Sequence, residues 1–343
     1  MAKTYTNLFE RIYDFENLYQ AYLKARKGKQ LNHDVAKFSS RLEENLITLQ
    51  NELIWQTYRT GNYYLFQVRE PKVRTVAALP FRDRVIHHAI INVIEPLFER
   101  VFIYDSYACR VGRGTHAGAD RAQRFLRIVK RNHGKFFVLK ADISKYFASI
   151  DHDVLMRLLE KRIRCKPTLD LLQRIIDASP LSGLPIGNLT SQLFANIYLH
   201  ELDEFCKYEV KAKYYLRYMD DFVIVHHNKA VLHDMRQRIE WFLASELKLK
   251  TNHKTQVYPI NRDRPLDFLG YKIWPTHRKL RNDSIKRFKR KMLRFQGRYY
   301  CGTIELSEVR QSIMTWLAHA SKANAHDTTR RILSGIVFKR EPL

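Results

Sequence analysis

Three aspartates have the residue type and the setting for divalent-metal chemistry. Asp142 directly follows the short apolar run 136–141, and Asp220-Asp221 lies between two β-rich runs, 214–218 and 222–225. We expect the first run to be a buried strand that ends at a carboxylate. The other two runs predict a tight hairpin with the acid pair at its bend.

Carboxylate oxygens are the ligands that Mg²⁺ prefers in proteins. Two such ions, held roughly 3.5–4 Å apart, activate an attacking hydroxyl and neutralise a triphosphate in nucleotidyl transfer. A bare Asp-Asp dipeptide is more often an ordinary solvated turn. The upstream strand-end aspartate favours the catalytic interpretation, so we predict two Mg²⁺ ions, with Mn²⁺ as a substitute.

The charge of the chain predicts a polyanionic partner. Lys and Arg number 60 against 35 Asp and Glu among 343 residues, for a formal net charge of +25. Such an excess attracts nucleic acid, although charge alone leaves an inert basic surface or a membrane-surface role open. The four cysteines form no CxxC pair, so neither a zinc site nor a disulfide framework is indicated.

The sequence predicts a soluble cytoplasmic protein without a membrane partner. Its first residues mix charged and apolar side chains in the manner of an amphipathic helix, not of a signal peptide. No segment is long and apolar enough to span a bilayer.

The hydrophobic periodicity predicts an α+β fold with helices on one face of a sheet. Helices are expected to about residue 62 and over 84–99, and a hairpin over 63–79. A loop at 183–187 precedes another helix, and a further helix follows the acid hairpin. Beyond residue 284 the pattern is all-helical, with the last two helices expected at 306–320 and 328–338.

Several motifs resemble those of reverse transcriptases. These are Tyr218-Met219-Asp220-Asp221, the segment 139–147 around Asp142, and Leu184-Pro185-Ile186-Gly187-Asn188-Leu189-Thr190-Ser191-Gln192. Intron and retroviral relatives generally carry Gln-Gly and Ser-Pro where this chain has Ile-Gly and Ser-Gln. That variant, with 107–118 and 268–277, resembles the phage-type reverse transcriptases of diversity-generating retroelements. A small departure is Ala148, where a proline is common.

The resemblance implies a right-hand polymerase with fingers, palm and thumb. Residues 1–117 would form the N-terminal region and fingers, and 118–275 the palm with its antiparallel sheet backed by helices. Residues 151–185 would contribute to the fingers, and 276–343 would form an all-α thumb.

The same resemblance assigns roles around the acids. Asp142 and Asp220 would ligate both metals, with Asp221 supporting and the Ile143 carbonyl helping. Phe147 would block a ribose 2′ hydroxyl and so select deoxynucleotides, whereas without the motif it would be read as a core phenylalanine.

Further residues are assigned to the incoming nucleotide. Cationic side chains would fold over the triphosphate, and Lys254 would protonate the leaving pyrophosphate. Each of these cations is otherwise an ordinary solvated surface charge. The remaining contacts would come from the loop at 183–187 and from the helix after it. With Phe147, the full set is Lys72, Arg74, Arg82, Ile186, Gly187, Gln192 and Lys254.

The resemblance also assigns residues to the primer and template. The turn at 268–271 resembles the grip on the primer end, and the basic helix near 286 resembles a thumb that tracks an A-form hybrid. A merely solvated helix face is the alternative. The residues concerned are Tyr218, Met219, Leu269, Gly270, Lys286, Arg287, Lys289 and Arg290.

Ile186 carries a hypothesis about fidelity. Where relatives place a glutamine, its amide can contact the nucleotide, but isoleucine has no donor or acceptor to offer. We expect lower selectivity, in keeping with the misreading of template adenines in the resembled family. Simple packing of Ile186 against the fingers is an equally weighted alternative.

The function implied is RNA-directed DNA synthesis for diversity-generating retrohoming, in a bacterium or phage. The expected partners are template RNA, the RNA-DNA hybrid, deoxynucleoside triphosphates and a small, basic, ring-forming accessory protein. The alternatives are an intron-like, CRISPR-associated or phage-defence reverse transcriptase, or a non-catalytic RNA-binding scaffold.

Overall fold

Four helices open the chain in the computed structural model, which describes residues 3–69 and 73–340. Leu46, Leu49 and Leu53 recur at spacings of three and four and are buried, as expected for one apolar helix face. Three of the four pack against the long helix that follows the first hairpin, and the fourth packs against those three. The four are α1 (Phe9–Tyr13), α2 (Phe15–Arg26), α3 (His33–Ser39) and α4 (Leu42–Ile54).

The first hairpin pairs β1 (Tyr64–Val68) with β2 (Arg74–Ala78) in antiparallel register, as predicted. Every residue of β1 is exposed, so the hairpin projects from the core. Next, α5 (Phe81–Glu99) is buried along most of its length and packs against α2 and the later helix α10 (Leu189–Glu204). The hairpin is thus anchored at its base.

The central sheet has four strands in the order β4-β5-β3-β6, and every neighbouring pair is antiparallel. The α+β prediction with an antiparallel sheet is therefore confirmed. The strands are β3 (Phe137–Asp142), β4 (Tyr215–Tyr218), β5 (Asp221–His226) and β6 (Gln256–Pro259).

Helices cover both faces of this sheet, and not one as expected. Leu139 and Ile224 enter one hydrophobic core with α10 and α11 (Lys229–Glu246), whereas Val138 and Val223 enter a second core with α6 (Thr115–His133). The reason is visible in β3 and β5, which are almost continuously apolar and therefore bury both faces. The helices between these strands are α7 (Tyr146–Ser149), α8 (His152–Glu160) and α9 (Lys166–Asp177).

A second, three-stranded sheet and three helices complete the fold. The sheet is antiparallel, with β8 between its neighbours, and the last helix ends at Leu333, earlier than predicted. None of the described helices has the length and apolar character needed to cross a bilayer. The elements are β7 (Leu266–Phe268), β8 (Tyr271–Ile273), β9 (Arg278–Leu280), α12 (Asn282–Tyr300), α13 (Leu306–Ala320) and α14 (His326–Leu333).

Candidate active site

The antiparallel register brings the three aspartates to one end of the central sheet. Asp142, the last residue of β3, is paired with Asp221, the first residue of β5. Residues paired in this way direct their side chains to the same face. Asp220 lies in the turn before β5, and its carbonyl accepts a hydrogen bond from Ile143 N at 3.2 Å.

A buried arginine holds the turn that carries the acid pair. Met219 has φ 54°, a left-handed conformation that is uncommon for a residue with a long side chain. Arg217 Nη1 donates to the Met219 carbonyl at 3.0 Å and pairs through its other nitrogens with Asp203 at 2.6 and 2.7 Å. This support stabilises the strained turn. Sequence reasoning missed both Arg217 and Asp203, although a charge inside an apolar strand is a usable signal.

A loop after α11 holds the backbone of Asp142. Asn252 N donates to the Asp142 carbonyl at 2.6 Å, and Asp142 N donates to Thr255 Oγ1 at 3.5 Å. Lys254 lies in this loop with an exposed side chain. Lys254, predicted to protonate the leaving pyrophosphate, thus lies in a loop that contacts the Asp142 backbone through Asn252 and Thr255.

The carboxyl groups of the acid pair are hard to ionise. Burial, followed by the charge of Asp142, raises the pKa of Asp220 to about 6. Burial raises the pKa of Asp221 to about 7, against the opposing charge of Lys140, whose Nζ lies 3.5 Å from Asp221 Oδ2. Burial and like-charge repulsion both disfavour the charged form.

The arrangement fits a divalent cation. Within residues 3–69 and 73–340, Asp221 Oδ1 is buried and has no hydrogen-bond partner, and an unsatisfied buried oxygen is costly. No three acidic, histidine or cysteine side chains of these ranges are grouped closely enough to hold an ion. A cation would therefore have to draw the carboxylates together, and in doing so would relieve their repulsion.

The predicted nucleotide-binding cations behave differently from one another. Arg74, at the start of β2, is exposed, and its charge lowers the pKa of Asp220, so it acts on the acid site. Arg82 forms an ion pair with Glu52 and lies 5.9 Å from the ring centroid of Tyr58. Arg82 is thus committed to a structural contact. Lys72 falls outside the described residues.

The loop before α10 docks on the hairpin strand β2. Ala77 N donates to the Ile186 carbonyl at 2.8 Å. Gly187 has φ +124°, and a Cβ there would lie 2.6 Å from the Ala77 carbonyl oxygen, so glycine is required. The Ile186 side chain remains half-exposed and Gln192 is exposed. The loop therefore joins the hairpin to the rest of the site.

Phe147 lies on the short helix α7, directly after the Asp142 strand. Its ring is half-buried and meets the Tyr146 ring edge-on, with the centroids 5.6 Å apart. Leu184 N donates to the Phe147 carbonyl at 2.8 Å, so the two predicted nucleotide-binding segments are in contact.

The predicted primer grip is the turn between β7 and β8. Leu269 and Gly270 both have positive φ, 52° and 88°. A Cβ on Gly270 would lie 3.2 Å from the His319 ring, so this turn packs against α13. On the strand before the acid pair, Tyr218 has its hydroxyl 3.4 Å from Thr115 Oγ1.

A basic groove of about 1160 Å³ runs between α12 and α13. Arg69, at the end of β1, also lines it. Of the four predicted thumb cations, Lys286, Arg287 and Arg290 line this groove, and Lys289 does not, because it is exposed on another part of the helix. The other basic residues of the lining are Lys291, Arg294 and Arg298.

Two curated proteins illustrate the similarity to known sequences. Protein YkfC of Escherichia coli is 26% identical over an alignment of length 283 that covers 68% of this chain and 72% of YkfC. The group II intron-encoded protein LtrA of Lactococcus lactis is 25% identical over an alignment of length 346 that covers 80% of this chain but only 55% of LtrA.

Solved telomerase structures are also similar to this chain. Apo telomerase from Candida tropicalis has a TM-score of 0.49 and 13% identity, covering 82% of this chain and 60% of that one. Telomerase from Candida albicans with a fragment of telomeric RNA has a TM-score of 0.48 and 13% identity, covering 83% and 56%.

The match to a family description is decisive. Residues 68–273, well over half of the chain, match the family described as reverse transcriptase (RNA-dependent DNA polymerase). These residues contain strand β2, the central sheet and all three aspartates. The predicted α+β fold with an antiparallel sheet backed by helices accompanies this match. This chain therefore belongs to the reverse transcriptase family.

Proposed function

We propose that this protein copies an RNA template into DNA by metal-assisted nucleotidyl transfer at Asp142, Asp220 and Asp221. The observation that carries the proposal is the pairing of Asp142 with Asp221 across β3 and β5. It places acids far apart in sequence at one sheet end, where the pKa values of Asp220 and Asp221 are raised. Perturbed acids at a common edge are typical of a functional site.

The proposed cofactor is Mg²⁺, held by the three carboxylates with help from the Ile143 carbonyl. When bound, it supplies charge neutralisation at the triphosphate and activation of the primer hydroxyl. The chain itself keeps the acids in place through the Arg217 contact to the Met219 carbonyl. Lys140 offsets part of the Asp221 charge.

The chain's own residues would then position the nucleotide. Arg74 is exposed on β2 and its charge lowers the pKa of Asp220, which supports a role for Arg74 at phosphates held beside that acid. Phe147, half-buried after the Asp142 strand, would exclude a ribose 2′ hydroxyl. Arg82 is paired with Glu52 through Nη2, and the other donors of its partly exposed guanidinium would contact the triphosphate.

The RNA-DNA hybrid would lie along the basic groove between α12 and α13. A row of cations tracks a phosphate backbone without reading its sequence. We propose residues 276–343 as the thumb, 118–275 as the palm with 151–185 reaching the fingers, and 1–117 as the N-terminal region and fingers.

The finer proposal is mutagenic retrohoming by a diversity-generating retroelement. Its support is the Ile186-Gly187 and Ser191-Gln192 variant of the loop motif, together with the half-exposed Ile186 side chain beside β2. In that setting the enzyme would misread template adenines. It would act with a structured template RNA and a small basic accessory protein.

The second candidate is an intron-type reverse transcriptase. The observation that favours it is the similarity to the group II intron-encoded protein LtrA and to nuclear intron maturase 2 of Arabidopsis thaliana, 26% identical over 190 residues. That similarity covers 50% of this chain and 25% of the maturase.

Primer extension on a defined RNA with Mg²⁺ tests the proposed activity. We expect the purified protein to extend a DNA primer, Mn²⁺ to substitute, and Asp220→Asn to remove extension. Failure of the unsubstituted protein to extend any primed RNA, with the cation varied, would overturn the polymerase proposal and leave an RNA-binding scaffold.

Sequencing of the products separates the two candidates. A diversity-generating enzyme should show errors concentrated at template adenines, and Ile186→Gln should lower their frequency. The matched control is Ile54→Gln, the same change at an exposed position away from the site. A buried isoleucine such as Ile197 would not serve, because glutamine there would disturb the core. Evenly distributed errors that are unaffected by Ile186→Gln would favour the intron-type enzyme.

A further inference from the structure

Helix α6 presents a second cationic surface, separate from the groove between α12 and α13. Arg124, Arg127, Lys130 and Arg131 are all exposed on its outer side. The opposite side of the helix is buried, through Ala122, Phe125, Leu126 and Val129. The helix therefore separates its apolar and cationic faces completely at these positions.

Two cavities flank this row of cations. One, of about 490 Å³, is lined by Arg124, Arg127 and Arg131 together with Arg278 of β9. The other, of about 480 Å³, is lined by Lys130, Arg262 and Lys279. Neither cavity shares a lining residue with the groove between α12 and α13. We call the two cavities and the row between them the α6 surface.

Few carboxylates lie on the α6 surface to neutralise its positive charge. Its lining holds seven Lys and Arg residues but only Asp120 and Asp263 as acids. Asp120 is already paired with Arg278, whose Nη1 is buried without an acceptor within the described residues. Arg124 and Arg131 form neither an ion pair nor a hydrogen bond within residues 3–69 and 73–340. These donors are available to an external anion.

The α6 surface includes an anchored loop with an aromatic side chain. Arg127 Nε donates to the Pro275 carbonyl at 3.2 Å, and so anchors the loop 274–277, which lines the second cavity. In that loop the Trp274 ring stacks on His277 at 4.7 Å, and Lys279 Nζ lies 5.9 Å from the Trp274 centroid. Guanidinium groups beside a flat ring are suited to phosphates and nucleobases.

We propose that the α6 surface binds the phosphate backbone of a base-paired RNA segment outside the copied stretch. The row from Arg124 to Arg131 spans about 10 Å at 1.5 Å per residue, a length over which a double helix carries several phosphates. The surface would thus hold the folded part of a template RNA while its single-stranded part is copied. The choice of RNA as the polyanion rests on the proposed function.

Binding of a fluorescent RNA hairpin with a stem of about 16 base pairs tests this proposal. The variant Arg124→Gln/Arg131→Gln removes only cations without protein partners, so its fold should be unaffected. We expect its affinity for the hairpin to fall about tenfold at physiological salt, and the slope of log K against log salt to decrease by about two. Adding Arg127→Gln should deepen the loss, with thermal denaturation as the check on folding.

The matched control is Arg11→Gln/Arg41→Gln, which removes two exposed arginines, one in α1 and one at the start of α4. An equal loss in this control would reduce the effect to net charge and overturn the proposal. Unchanged hairpin affinity in the α6 variant would overturn the proposal. If the unsubstituted protein also binds poly-glutamate, the result would favour an acidic protein partner for the α6 surface.

Extension of a short, unstructured primed RNA separates this surface from the polymerase site. The α6 variant should extend this RNA at the same rate as the unsubstituted protein, although its affinity for the hairpin is reduced. If the unsubstituted protein extends no primer but its hairpin binding still depends on Arg124 and Arg131, the polymerase proposal fails and the surface stands.

Discussion

Two charged clusters lie in the same central sheet and differ in how fully their charges are satisfied. Arg217 and Asp203 have 0% exposed side chains, and Arg217 also donates to Ser106 and Asn196. Tyr215 donates to Asp203 at 2.6 Å. At the nearby sheet end, Asp220 and Asp221 have raised pKa values and Lys140 as the ion-pair partner of Asp221 within the described residues.

The difference separates a structural charge from a functional one. Every strong donor around Asp203 is used within the fold, so the Arg217 cluster has no capacity for a ligand. The acid cluster has too little positive charge around it to neutralise its carboxylates. This shortage lowers the stability of the metal-free protein and favours binding of a cation. The two are joined through the Met219 carbonyl, which accepts from Arg217 Nη1. The satisfied cluster thus holds the unsatisfied one in place.

The largest expected effect comes from Asp220→Asn. Loss of a carboxylate at the metal site should lower primer extension about a thousandfold, or about 4 kcal/mol in the activation barrier. The same change should stabilise the metal-free protein at pH 8 by about 1–2 kcal/mol. The reason is that a carboxyl with a raised folded-state pKa favours folding below its ordinary pKa and loses that contribution as pH rises through about 6.

Extension assays and urea unfolding without divalent cations measure the two effects. If Asp220→Asn keeps primer extension, or is less stable than the unsubstituted protein at pH 8, the acid cluster does not differ from the Arg217 cluster in the way described.

Asp203→Ala tests the satisfied cluster. Removing one partner of a buried ion pair leaves an uncompensated charge, so we expect about 3–5 kcal/mol of destabilisation in urea unfolding. The double change Asp203→Leu/Arg217→Met should recover part of this loss, because no buried charge then remains. Equal destabilisation by the single and double changes would show that packing, and not charge, dominates there.

The affinity for the cation should depend on pH in the acid cluster. Ligation requires the ionised carboxylates, and the pKa values of Asp220 and Asp221 are about 6 and about 7. We therefore expect Mg²⁺ affinity to rise about tenfold or more from pH 5.5 to pH 7.5, with release of protons. Calorimetry in buffers of different ionisation enthalpy measures both. A pH-independent affinity would show that the acids are already ionised without the metal.

The smallest effect is expected from Lys140→Gln. Because the Lys140 charge lowers the pKa of Asp221, its removal should raise that pKa further and shift the pH profile of extension upward. A partly exposed pair contributes up to about 1 kcal/mol, so extension at pH 7 should fall no more than about fivefold. Lys135→Gln, an exposed change at the start of the same strand region, should leave the profile unchanged.

Much of the fold followed from local patterns. Period-two and period-3.6 stretches predicted the first hairpin, the acid hairpin, β3 and the main helices, because those periodicities reflect which side chains a strand or helix can bury. The motif around Asp142 and the Asp220-Asp221 pair predicted the reverse transcriptase family. The charge of +25 predicted a polyanionic partner. Clustered Lys and Arg residues line the basic groove and the α6 surface.

Other features depended on contacts between residues far apart in the chain. The pairing of Asp142 with Asp221 is a matter of strand register, which the sequence of each strand leaves open. The pairing of Arg82 with Glu52, the docking of the Gly187 loop on Ala77 and the helices on both sheet faces arise in the same way. The sequence alone determined which side chains are available for chemistry. Tertiary structure decided which remain unsatisfied, because burial and counter-charges are set by neighbours that only folding brings together.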